Sequence, residues 1–133
     1  MYEAIVMLLD QKFDAFMPAY VDELTRRTGE GQFGSKPTII QKDAHLDLTL
    51  EGVNFTVHFN AEETVAEEAS EIAENFAADH SDRDKIALTD SRLEISSGED
   101  FDMVAFNSFI SLIEAAEAIA TVWHFDPAEG AIQ

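Results

Sequence analysis

Two runs of strict alternation stand out along the chain. In His45-Leu-Asp-Leu-Thr-Leu50 the leucines alternate with polar residues, and Val53, Phe55, Val57 and Phe59 do the same in the run that follows. A period of two marks strands with one buried face. Glu51-Gly52, between the runs, reads as a two-residue hairpin loop, although Glu is a less apt first loop residue than Asn or Asp. Pairing Leu50 with Val53 sends every apolar side chain to one face, whereas a one-residue slip would oppose apolar to polar throughout. The same pairing sets His45 opposite His58 on the polar face, with Asp47 beside them.

The other elements are read around this hairpin. Residues 3–9, Glu-Ala-Ile-Val-Met-Leu-Leu, are apolar on both faces and suit a central strand. Residues 14–28 carry Phe16, Tyr20, Val21 and Leu24 on one helical stripe, with Pro18 expected in the first turn and Gly29 at the C-terminal cap. Asn60 and Glu63 have the spacing of a capping box. They open a helix to about Asp79 whose inner stripe is Val65, Ala69, Ile72 and Phe76. Residues 80–84 read as a loop, and 85–88 and 92–95 as two short strands. Residues 102–121 form a third helix with Met103, Phe106, Phe109, Ile110, Ile113 and Ala116 inward. Residues 122–125 are a last short strand, stopped by Asp126-Pro127, with residues 127–133 as a loose tail.

This order predicts one α+β domain over residues 1–133. The expected core is a ferredoxin-like β-α-β-β-α-β antiparallel sheet with helices on one face, plus an extra short strand and a C-terminal helix. In that arrangement the first strand and the second hairpin strand are central, and the third helix packs on an edge or on the open face.

Composition narrows the classes of function. A chain of 133 residues with 46% apolar residues and ten Phe can build one core without staples. The absence of cysteine excludes disulfides and thiolate metal sites and fits a reducing compartment. The start has no basic segment before its apolar run, and no run reaches the ~20 apolar residues of a membrane span. A soluble, cytoplasmic protein is expected. The net charge is −19, with eleven acids and five bases in residues 1–66 and sixteen acids and three bases in residues 67–133. Such a surface disfavours nucleic acid and anionic membrane and favours basic proteins or cations. General solubility, or life in a salty host, would also account for it.

Gly29-Glu-Gly-Gln-Phe-Gly34 has the spacing G-x-G-x-x-G. A dinucleotide fingerprint must follow a strand and open a helix, and this stretch follows a helix and leads to extended chain. Ser35 also stands where a phosphate loop needs lysine, so a connecting loop is expected. No G-x-S-x-G elbow, H-E-x-x-H helix or cysteine nucleophile is present, and no catalytic residue is assigned. His80 with Asp79, Asp82 and Asp84 lacks the spacing of a calcium loop and reads as a solvated turn.

Two surfaces remain. His45, Asp47 and His58 offer a candidate site for a divalent metal of the zinc, nickel or iron class, or else a homodimer surface on the open sheet face. Glu63, Glu67, Glu71 and Glu74 stack at helical spacing, where like charges repel. A basic protein partner would relieve that repulsion. The expected function is therefore a small acidic binding or inhibitory module of the immunity-protein or nucleic-acid-mimic type, without cofactor. The alternative is a small metal- or ligand-binding protein using the histidine face.

Overall fold

The computed structural model describes residues 2–31, 37–97 and 103–132. In chain order the elements are β1 (Tyr2–Leu8), α1 (Phe13–Gly29), β2 (Thr38–Lys42), β3 (His45–Leu50) and β4 (Val53–Asn60). They continue with α2 (Glu63–Phe76), α3 (Arg83–Ala87), β5 (Ser91–Ser97), α4 (Met103–Ile119), β6 (Val122–Asp126) and β7 (Ala131–Ile132). The strands form one sheet in the order β2-β3-β4-β5-β1-β6-β7, every neighbouring pair antiparallel. The α+β class is as the sequence predicts.

The hairpin has the predicted register, with Leu50 opposite Val53 and His45 opposite His58. Glu51 and Gly52 both have positive φ, 54° and 77°. Two consecutive left-handed residues are what a type I′ turn requires, and its twist matches that of the strands it joins. Leu46, Leu48, Leu50, Phe55, Val57 and Phe59 are all buried on one face. There they meet Phe16, Tyr20 and Leu24 of α1 and Phe109, Leu112 and Ile113 of α4 in the larger core. The Tyr20 hydroxyl, fully buried, donates to the Leu112 carbonyl at 2.8 Å and ties the two helices together.

Parity along the sheet makes β1 parallel to β2, and β5 parallel to β6 across β1. The crossovers that join these pairs, α1 and α4, lie on the same face. They move in opposite directions from strands that run in opposite directions, so a single handedness puts both helices on one side. β1 is apolar both ways for the expected reason: Ala4, Val6 and Leu8 face α1 and α4, while Met7 faces a second core on the other side. That second core joins Met7, Trp123 and Phe125 to Ala69, Ile72 and Ala73 of α2 and Ile86 of α3. Helices therefore cover both faces, not one.

The strand order departs from the ferredoxin-like arrangement, in which β4 would lie beside β1. Here β5 stands between them and pairs with both. The cause is the segment 85–88, which supplies no strand. It lies in and just after the single-turn helix α3, where only Ile86 is fully buried and Leu88 is exposed. Four apolar-rich residues fit either period, and here the Ile86 amide bonds to the Asp82 carbonyl at 2.9 Å. With no strand there, residues 77–90 make an added traverse, and β5 enters antiparallel to β4 and pairs with it directly.

Smaller departures follow local chemistry. Asn60 does not form a capping box. Its side-chain oxygen accepts from the Glu62 amide at 3.0 Å, an Asx turn, and α2 begins at Glu63. Pro18 falls in the second turn of α1 because the helix starts at Phe13. Gly29 ends α1 as a helical residue, and the left-handed residue beyond it is Gly31, at φ 79°. Residues 32–36 of the glycine-bearing stretch lie outside the described residues, as does the Met103 side chain. The chain end returns as β7 against β6, and Phe76, about half exposed, packs on Phe125 with ring centroids 5.0 Å apart. Among the described residues no helix is long and apolar enough to cross a membrane.

The turn generates a test. Glu51 occupies a left-handed conformation that costs an ordinary residue roughly 1 kcal/mol and Asn much less. Glu51→Asn is expected to raise stability in urea unfolding by about 0.5 kcal/mol, and Gly52→Ala to lower it by about 1 kcal/mol. Equal stability of both variants would contradict the turn assignment.

Candidate functional site

The polar half of the sheet takes its geometry from the hairpin. The Phe59 amide donates to the Ala44 carbonyl at 2.8 Å, so the next pair, His45 and His58, is a close, non-hydrogen-bonded one. Their imidazoles stack with centroids 4.1 Å apart and planes 4° from parallel. His58 Nδ1 lies 3.2 Å from Glu94 Oε1 on β5. Glu94 Oε2 accepts from Asn60 Nδ2 at 3.1 Å and Arg92 Nε at 2.8 Å. Arg92 Nη1 reaches Glu68 Oε2 of α2 at 2.6 Å. A continuous polar chain thus crosses β3, β4 and β5 and ends on the second helix.

Burial alone would raise the Glu94 carboxyl. Hydrogen bonds from Asn60 and Arg92, the Arg92 charge and the contact with His58 outweigh it and hold the group below the usual carboxylate range. Burial acts against the Arg92 charge as well, but its bonds to Glu68 and Glu94 dominate and raise its pKa. A carboxylate held by three partners is a poor proton acceptor. The arrangement fixes α2 on the sheet.

Of the three residues expected to ligate a metal, two are brought together. Asp47 shares their face, but it sits opposite Thr56 and its carboxylate is 3.4 Å from Lys42 Nζ. Among the described residues no three His, Asp or Glu side chains gather so as to hold a metal ion. His80 Nδ1 accepts the Asp82 amide at 2.9 Å, and Asp82 Oδ2 accepts the Trp123 indole N–H at 3.1 Å, so this loop serves packing.

The acidic stripe lies where its periodicity predicts. α2 buries Val65, Ala69, Ile72 and Ala73 and exposes Glu63, Glu67, Glu71 and Glu74. The helix has no basic residue in its last turn, and among the described residues none of the four glutamates makes a salt bridge. Glu68, one step round the helix, is the member of this acidic segment that meets Arg92. Elsewhere Arg26 and Arg27 are spent on Glu23, Lys42 on Asp47 and Lys12 on Asp90.

The chain from His58 to Glu68 was not anticipated from the sequence. Its signal is the alternation in Arg92-Leu-Glu-Ile95: once β5 pairs with β4, Arg92 and Glu94 must share the face of His58.

Glu94 gives this site a pH signature. Its depressed folded-state pKa means that the ionised carboxylate contributes stability above the ordinary carboxylate range. That contribution is lost as pH falls through the folded value, because the unfolded chain takes up the proton first. Urea unfolding followed across acidic pH is expected to show a shallower loss of stability for Glu94→Gln than for the parent; parallel curves would remove the assignment. Compared with known proteins, the chain matches no family model, no curated protein and no solved structure.

Proposed function

We propose that the protein is a small acidic binding module, of the immunity-protein or nucleic-acid-mimic type, whose α2 face receives a basic protein. The observation that carries the reading is the exposed row Glu63, Glu67, Glu71 and Glu74, which no cation of the described residues neutralises. Like charges three and four residues apart destabilise a helix by about 0.2–0.5 kcal/mol per pair. Glu74 adds an unfavourable interaction with the helix C-terminus. The apolar stripe and the Arg92–Glu68 link hold the helix in place despite this repulsion, and a cationic partner would remove it. The field of a chain carrying −19 steers such a partner and makes association steeply salt-dependent.

The α2 face is tested with decalysine as a charge probe, followed by amide NMR. Shifts are expected to concentrate on the outward residues of α2 and to weaken about tenfold between 20 and 200 mM salt. Glu67→Lys with Glu71→Lys is expected to abolish them while leaving the fold as stable as before or slightly more so, since the repulsion falls. Shifts spread evenly over all acidic surfaces, or retained in the double variant, would exclude a dedicated face.

A further inference from the structure

The face of the sheet opposite α2 carries a cleft that the acidic helix does not touch. It is about 340 Å³ in volume and lies between α4 and the turn from β6 to β7. Phe106, Phe109 and Ile110 form its apolar wall, and Asp126 and Glu129 its polar rim, with His124 between them; Glu3 borders it only from the end of β1, its side chain directed to the other face of the sheet. Asp126 Oδ1 is committed to the Ala128 and Glu129 amides, at 2.9 and 3.4 Å, which fixes one carboxylate at the mouth.

His124 is the informative residue. Asp126 and Glu117 face it and favour its protonation, yet burial prevails and its pKa is lowered. Among the described residues no hydrogen bond engages either ring nitrogen. At neutral pH the cleft thus combines aromatic and aliphatic wall, two carboxylates and a neutral imidazole able to accept a hydrogen bond, with no Lys or Arg in its lining. That combination has the chemistry of an ammonium site: carboxylates supply charge, imidazole an acceptor, and aromatic side chains a surface attractive to cations.

We propose that the cleft between α4 and the β6–β7 turn binds a small organic cation, a primary ammonium group carried on an apolar chain. The ammonium sits among Asp126, Glu129 and His124, and the chain lies along Phe106 and Ile110. This site is on the other side of the sheet from the α2 face and does not depend on what that face binds.

The probe is hexylammonium, with 1-hexanol as its uncharged counterpart, titrated into the full chain and followed by amide and imidazole NMR. Hexylammonium is expected to give saturable shifts at Ile110, His124 and Glu129 with an affinity on the order of millimolar. Hexanol is expected to bind at least about tenfold more weakly, the charge supplying the difference. Glu129→Gln alters an exposed side chain and is expected to weaken hexylammonium about threefold or more without changing hexanol. Ile110→Ala is expected to weaken both. Absence of saturable shifts at these residues, equal affinity for the two probes, or indifference to Glu129→Gln would overturn the proposal.

Discussion

The structure depends on one register. Leu50 opposite Val53, closed by two left-handed residues, decides which side of β3 and β4 is dry. Because side chains alternate with a period of two, displacement by one residue would carry Leu46, Leu48, Phe55 and Val57 out of the core and bring His45, Asp47 and His58 into it. At roughly 25 cal/mol per Å² of apolar surface, that exchange is beyond the stability of a domain this size. The turn therefore need not be optimal. Glu51 is strained in its conformation, and the strain persists because the ladder on either side over-determines it.

From that register the placement of charge follows. Glu94 lands between His58 and Ile5, and Arg92 between Asn60 and Met7, at the boundary where the polar half of the sheet meets the second core. A guanidinium and a carboxylate in this position must be paired or pay for desolvation, and Glu68 completes the pairing from α2. With only eight Lys and Arg in the chain, each cation committed to such work is one fewer to balance the outer surface. Arg92 is engaged by Glu68 and Glu94, and the outward glutamates of α2 are left without a salt bridge among the described residues.

The hairpin was legible because two independent signals coincide there, alternation and a turn, and each would fail under a different register. The inner stripe of α2 was legible for the same reason: Val65, Ala69 and Ile72 fit one period and no other. The segment 85–88 was not, because a four-residue run carries no period. Its single misassignment propagated into the strand order, placing β1 where β5 lies. The Asn60 cap misled in another way. Asn stabilises both an N-cap and an Asx turn through the same oxygen, and here that oxygen accepts from the Glu62 amide while the amide group donates to Glu94. The His58–Glu94–Arg92–Glu68 chain spans three elements, β4, β5 and α2, so it becomes readable only once the pairing of β4 with β5 is known.

Two chemically different surfaces result from covering both sides of one sheet. On one side α2 is held by a small core and an ion pair and presents carboxylates at helical spacing, the face proposed to receive a basic protein. On the other, α4 and the last hairpin leave an apolar recess bordered by Asp126 and Glu129, the site proposed for one positive charge and its hydrocarbon. Screening separates them. A field of exposed charges weakens with salt, whereas an ammonium ligand of the proposed kind would keep the part of its affinity that comes from buried apolar area. Ionic strength, varied alone, therefore distinguishes which surface a given cationic ligand has chosen.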